Sequence, residues 1–161
     1  MTQFKELIRL LAESQVELII VGGAAATAHG SARLTEDLDL VYRRTPENLR
    51  RLVRVLAPYK PYLRGAPPNL PFQWEERTLQ SGLNFTLTTS LGPLDLFGEI
   101  TGGGNYEDLQ PYCVRLQVFG VECLCLGLER LIHVKRATGR PRDFEVIAEL
   151  EAILEERERN N

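Results

Sequence analysis

The chain predicts a mixed α+β fold, a twisted mixed β-sheet flanked by helices. Three observations predict it. Apolar, β-branched runs such as Val16–Val21 and Leu38–Tyr42 read as buried strands. A small-residue helix pattern lies between those two runs, and a hairpin pattern with two amphipathic helices closes the chain. At 161 residues, 43% hydrophobic and 25% charged, the composition is that of one globular domain spanning 1–161. The net charge of −3 gives no overall basic signal for nucleic acid. No apolar stretch reaches membrane-spanning length and the N-terminus lacks a signal-peptide pattern, so no membrane association and a cytoplasmic location are expected. Cys113, Cys123 and Cys125 lack paired C-x-x-C spacing and read as reduced thiols packed near a sheet.

Each element has a local reason. Phe4, Leu7, Ile8 and Leu11 follow helical spacing and predict a helix over 3–14. The strand 16–21 ends at Gly22-Gly23, and Ala24 to His29 forms a short helix stopped by Gly30. Its alanines allow close approach to the sheet. Leu38–Tyr42 is the second strand. Thr45-Pro46-Glu47 supplies a hydroxyl cap, a first-turn proline and an acid at the positive helix end, which starts a helix running to about Ala57. Five prolines over 58–71 predict a surface loop or lid. Strands are expected at about 83–89 and 93–97, turning at Ser90-Leu91-Gly92, with a flexible loop at Gly102-Gly103-Gly104. Residues 112–119 and 121–126 form a hairpin turning near Gly120. Helices are expected at about 128–138 and 142–157, separated by Gly139-Arg140-Pro141, with a charged, fraying tail after Glu155.

Two short segments carry chemistry. Val21-Gly22-Gly23 is followed, after thirteen residues, by Asp37-Leu38-Asp39-Leu40. Side chains alternate along a strand, so Asp37 and Asp39 share a face while Leu38 and Leu40 point into the core. Adjacent carboxylates repel and are best tolerated around a divalent cation. A glycine turn beside them offers bare backbone N–H groups to a phosphate. A third acid in an apolar strand, Asp95 in Leu94-Asp95-Leu96-Phe97, is costly to bury unless paired or liganded.

The arrangement resembles the signature of the DNA polymerase β-type nucleotidyltransferase superfamily, which runs hydrophobic residue, Gly, Gly or Ser, a short spacer, then Asp-hydrophobic-acid-hydrophobic. Val21, Gly22, Gly23, Asp37, Leu38, Asp39 and Leu40 match it, and Asp95 matches the third family carboxylate on a later strand. The stretch His29-Gly30-Ser31-Ala32-Arg33-Leu34-Thr35-Glu36-Asp37, with Lys135 and Gly139–Asp143, looks like the bacterial branch that holds abortive-infection and toxin–antitoxin nucleotidyltransferases. The resemblance implies a polymerase β-like fold and transfer of an NMP from an NTP to a hydroxyl, with pyrophosphate leaving. It implies two Mg²⁺ ions, or Mn²⁺, held by Asp37, Asp39 and Asp95. Asp95 would serve the acceptor side and take the hydroxyl proton. Gly22 and Gly23 would let the triphosphate approach the backbone.

Other residues carry competing readings. Lys135 continues the apolar face of Leu128, Leu131 and Ile132; it either meets an anion, the triphosphate or the acids, or snorkels to solvent. Arg33 and Thr35 are candidate nucleotide contacts or plain loop residues. His29 reads as packing a helix end, and Asp143 as an acid favourably placed in a first helical turn. Arg43, Arg44, Arg50, Arg51 and Arg54 form a solvated face or a cationic surface for RNA. Phe72 and Trp74 anchor the proline-rich loop or stack a base. The acceptor stays open among a small molecule, a protein side chain and an RNA end, as does completion of the site by a partner protein or a homodimer. The alternatives are a non-catalytic nucleotide-binding or antitoxin-like module acting through a partner, and a metal-binding structural domain.

Overall fold

The computed structural model describes residues 3–33, 35 and 37–161. Its strands are β1 (Leu18–Val21), β2 (Leu38–Tyr42), β3 (Tyr62–Leu63), β4 (Asn84–Thr89), β5 (Gly92–Phe97), β6 (Glu99–Ile100), β7 (Gly104–Asn105), β8 (Cys113–Val118) and β9 (Val121–Leu126). Its helices are α1 (Phe4–Glu13), α2 (Gly22–Ala28), α3 (Pro46–Leu56), α4 (Glu76–Ser81), α5 (Tyr106–Leu109), α6 (Leu128–Thr138) and α7 (Phe144–Arg159). Seven strands form one mixed sheet in the order β3-β4-β5-β2-β1-β9-β8, and β6 pairs with β7 separately. β2 runs parallel to β5, and β1 parallel to β9; the other neighbours are antiparallel.

Register assigns the two faces. Ile20 pairs with Leu40, and Leu38 and Leu40 pair with Leu94 and Leu96. This fully buried face is covered by α1, through Leu7, Ile8 and Leu11, and by α3, through Leu49, Leu52 and Leu56. Burying one such leucine contributes about 1.5–3 kcal/mol. The opposite face carries Val21, Asp39 and Asp95, and α2 and α6 lie on it. α2 reaches the sheet through Ala24, Ala25 and Ala26, whose short side chains permit close packing.

Thr45 caps α3 as expected, its hydroxyl accepting the Asn48 N–H at 3.3 Å, with Pro46 in the first turn. Asn48 itself is fully buried. Its Oδ1 accepts the Glu17 N–H at 2.7 Å, and its Nδ2 donates to the carbonyls of Glu17 at 2.9 Å and Arg43 at 2.8 Å. One amide thus closes the ends of β1 and β2 onto α3. Asn48→Ala strands these backbone groups, and the urea midpoint should fall by the equivalent of about 2–4 kcal/mol with an unchanged slope.

Several boundaries differ from the sequence expectation. Gln15 takes a left-handed conformation (φ 60°) that turns the chain out of α1, so β1 begins at Leu18 while Val16 packs in the core. α2 begins at Gly22 rather than Ala24. The 58–71 segment is not all loop: β3 pairs Tyr62 with Thr88 and Leu63 with Leu87 at the sheet edge, where neighbouring prolines leave the ladder intact. α4, α5 and the β6–β7 pair occupy stretches with no clear periodicity. The cysteines are free thiols; burial pushes Cys113 up to about 11 and Cys125 up to about 12. Among the described residues no helix is long and apolar enough to cross a membrane.

Candidate active site

Three adjacent strands bring the polar residues together. Val21 lies opposite Asp39 across the β1–β2 pair, and Asp39 lies opposite Asp95 across the parallel β2–β5 pair. In-register neighbours point to the same face about 4.8 Å apart, so the two carboxyl groups meet within hydrogen-bonding reach. The chain leaves β1 at Gly22 with φ +66°, a left-handed turn that brings the start of α2 against Asp39. A Cβ at Gly22 would lie 2.3 Å from Asp39 Oδ2, so only glycine leaves room for that carboxylate. A Cβ at Gly23 would lie 2.7 Å from Thr35 Oγ1. Thr35 in turn donates to the Asp37 carbonyl at 3.1 Å, which closes the loop before β2 over the glycine turn.

A cleft of about 230 Å³ opens beside Asp39. Val21 and Gly22 form one wall, Phe97, Glu99 and Ile100 another, and Leu131, Val134, Lys135, Thr138 and Arg140 a third. A larger groove of about 640 Å³ lies on the α1 face, floored by Leu18, Ile20, Leu38 and Leu40, and contains none of these polar residues.

The electrostatics of the cleft follow from burial. Asp39 is pushed up to about 7, first by burial, then by the neighbouring charge and hydrogen bond of Asp95 and the charge of Asp37, with Lys135 acting in the opposite sense. Burial holds Lys135 below its ordinary value, while the carboxylates of Asp143 and Asp39 act to raise it and Arg140 to lower it. Asp95 accepts an ion pair from Arg64, whose Nη2 lies 2.7 Å from Oδ1. Arg64 is fixed there by donating also to the Leu87 carbonyl, at 2.6 Å from Nη2 and 3.2 Å from Nε.

The predicted residues are therefore distributed unevenly. Asp39, Asp95, Gly22 and Lys135 converge on one locus, and Asp37 sits exposed at its rim. Gly23 and Thr35 pack against each other next to it. Arg33 points elsewhere: its Nη2 pairs with Glu145 at 3.0 Å and its Nε approaches Glu149 at 3.8 Å, both on α7. Leu34 and Glu36 of the 29–37 stretch lie outside the described residues. His29 packs a helix end, its Nε2 2.8 Å from the Leu126 carbonyl. Trp74 anchors the proline-rich segment by donating to the Val53 carbonyl at 3.0 Å, and Phe72 packs edge-on against Tyr62. In the arginine cluster, Arg43 pairs with Glu17 and Glu107, Arg51 pairs with Glu47, and Arg44 donates to the carbonyls of Leu79 and Gln80.

Arg140 and Arg64 are given no individual role by the sequence. Arg140 lines the cleft and donates to Asp143 at 2.8 Å. Asp143 is 6% exposed, so it is a buried ion-pair partner and not only a favourable charge at a helix start. Arg140 stands in the break between two helices, within the Gly139–Asp143 stretch that carried part of the resemblance. Arg64 had no such signal, because its role depends on the pairing of a two-residue strand.

Among the described residues no three His, Cys, Asp or Glu side chains form a ready-made cage. The donors present are nonetheless hard oxygens, and the repulsion between Asp39 and Asp95, which Arg64 offsets on the Asp95 side alone, is one that a cation between them would relieve. Mg²⁺ commonly binds through one or two carboxylates plus waters and substrate phosphates, so an open pair with Asp37 at its rim fits it.

No protein-family model and no curated protein matches the chain. Solved structures do. A lincosamide antibiotic adenylyltransferase, LnuA, solved with lincomycin bound, superposes with a TM-score of 0.61 at 16% identity, covering 94% of this chain and 96% of that one. A Thermotoga maritima protein provisionally assigned as a nucleotidyltransferase superposes with a TM-score of 0.58 at 14% identity, covering 92% and 94%. At these identities the likeness establishes the fold: the chain has the nucleotidyltransferase architecture over nearly its whole length.

Proposed function

We propose that the protein is a divalent-metal-dependent nucleotidyltransferase that moves an NMP from an NTP to a hydroxyl of a small-molecule acceptor. The observation that carries this reading is the in-register Asp39–Asp95 pair, with Asp39 against Gly22 in the cleft that Lys135 also lines. The small-molecule acceptor draws support from the superposed lincosamide adenylyltransferase and from the modest size of the cleft. RNA finds less support, because Arg43, Arg44 and Arg51 of the basic cluster are engaged within the protein.

Asp39 and Asp95, with Asp37 at the rim, are the residues that would hold Mg²⁺ or Mn²⁺. When bound, the metal stabilises charge on the attacking and leaving oxygens. Asp95 accepts the acceptor hydroxyl's proton, and Arg64 keeps its carboxyl aimed at the site. Gly22 and Gly23 leave the backbone bare where a phosphate approaches. Lys135 and Arg140 stand across the cleft and neutralise the triphosphate. The cleft walls Ile100, Leu131 and Val134 exclude water from the reacting groups.

The first experiment melts the protein with Mg²⁺ and each NTP in turn, then incubates it with α-labelled NTP and a panel of hydroxyl compounds. A ligand at about 100 times its dissociation constant stabilises by roughly 2.7 kcal/mol. A metal-dependent shift with one NTP and a labelled acceptor product are expected. Absence of both would sink the proposal. Lys135→Met should raise the KM for the NTP about 10–100-fold, equivalent to roughly 1.4–2.7 kcal/mol of lost charge-assisted contact. It should leave thermal stability of the free protein unchanged or higher, because a buried cation is removed. An unchanged KM would place Lys135 outside the nucleotide site.

A further inference from the structure

The two ends of the sheet differ. At one, β3 is two residues long, follows Pro61, and leads into a proline-rich segment tied down by a Tyr62 hydroxyl bond to the Pro67 carbonyl. At the other, β8 runs six residues, Cys113-Val114-Arg115-Leu116-Gln117-Val118, without Pro or Gly, and among the described residues pairs only with β9. Natural edges are usually shortened, bulged or covered; this one is long and regular. Tyr112, Val114 and Phe119 along it are 47%, 41% and 49% exposed.

The direction of its free backbone groups follows from the hairpin. Phe119 and Gly120, with φ 52° and 79°, form a two-residue turn, and Val118 opposite Val121 is the pair that closes it. The Tyr112 carbonyl accepts the Gly127 N–H at 2.8 Å, which keeps the even-numbered residues bonded toward β9. The N–H and C=O groups of Arg115 and Gln117 therefore face away from the sheet.

We propose that β8 pairs antiparallel with β8 of a second copy about a two-fold axis at Leu116, joining two sheets into one. In this register Arg115 faces Gln117 of the second copy, and the outward backbone groups of both satisfy each other. Leu116 meets its own equivalent, and Val114 meets Val118. Gln117 is itself opposite Glu122 on β9. Arg115 thus sits two strand spacings, about 10 Å, from Glu122 of the second copy on the same face and diagonal to its own Glu122 across β8 and β9, so in the dimer each arginine lies between two acids. Centring on Arg115 instead would oppose two like charges, centring on Val114 would leave Arg115 against Cys113, and centring on Gln117 would leave it against Phe119; of these registers the Leu116 one is complementary. The contact is isologous and self-limiting, as a two-fold interface requires.

Light scattering coupled to size exclusion tests it. The expected mass is twice the 18.2 kDa of the chain. Arg115→Glu should raise the dimer dissociation constant at least about tenfold, since it puts like charges on both symmetric rows. Adding Glu122→Arg should restore the dimer. Arg115 is exposed on the edge, so the fold of either variant should give an unchanged circular dichroism spectrum. Leu116→Cys, made with Cys123→Ala to remove the thiol that faces position 116 across β8 and β9, should cross-link two copies under oxidation, because opposed residues at a two-fold lie about 4.5 Å apart at Cα, within disulfide range. A chain that stays at 18.2 kDa throughout its soluble range overturns the proposal. So does a dimer indifferent to Arg115→Glu, or an oxidised Leu116→Cys, Cys123→Ala protein that stays uncross-linked.

Discussion

Asp39→Asn is expected to make the metal-free protein more stable above pH 7 while abolishing nucleotidyl transfer. Asp39 is held up at about 7, against 3.8 for an unperturbed aspartate, by burial and by Asp95. The folded state therefore binds a proton that the unfolded state has released. The associated stability is fully present below pH 3.8 and is lost as pH rises to about 7. At 1.36 kcal/mol per unit, the penalty above pH 7 has a ceiling of about 4 kcal/mol. Because the strain is shared with Asp95 and its Arg64 partner, a recovery of about 1–3 kcal/mol is the realistic range for Asn. Asn keeps the shape and a hydrogen bond to Asp95 but cannot carry the charge a metal requires. Loss of that ligation should cost at least about 4 kcal/mol in the transition state, a thousandfold in rate. Urea midpoints at pH 5 and pH 8, with and without Mg²⁺, separate the effects. Mg²⁺ should flatten the pH dependence of the parent and leave the variant unmoved. A variant no more stable than the parent at pH 8, or one that keeps a metal-dependent NTP shift, would contradict this account.

What was legible in the sequence was what short-range periodicity controls. α6 runs from Leu128 to Thr138 as its spacing dictates, and Gly139 ends it in the left-handed conformation that only glycine takes freely. The alternation Asp37-Leu38-Asp39-Leu40 correctly sorted acids from core. Proximity of Asp39 to Asp95 was supplied by a family resemblance, because strand order is a long-range property; the parallel β2–β5 register now accounts for it physically. Arg33 shows the same limit. Its neighbourhood resembled a nucleotide loop, but α7 packs behind it and supplies Glu145 and Glu149, which hold the guanidinium away from the cleft. Arg64 is the converse: unremarkable in sequence, it becomes a site residue because β3 docks at the sheet edge. Asp143, read as a favourable charge at a helix start, is buried and pairs with Arg140 at the edge of the cleft.

Gly22→Ala is expected to cost about 3 kcal/mol of stability, and the cause can be divided between backbone and crowding. The backbone share is set by φ +66°, a conformation that costs a residue with a Cβ about 1–2 kcal/mol. Gly65 supplies the control. It has φ +77° and nothing within 4 Å of an added Cβ, so Gly65→Ala should lose only that backbone share. At Gly22 the new methyl would lie 2.3 Å from Asp39 Oδ2 and 3.1 Å from Asp39 Cβ. The carboxylate can give way only by turning into the cleft and out of its pair with Asp95, and α2 cannot retreat without unpacking Ala24, Ala25 and Ala26. Activity should therefore fall with stability, because relief requires Asp39 to rotate out of its pair. A double-mutant cycle isolates the contact. Asp39→Ala removes the clashing atoms, so Gly22→Ala should cost at least about 1 kcal/mol less in that background than in the parent. Strict additivity would mean that the turn at Gly22 is dictated by its own dihedral and not by the carboxylate it makes room for.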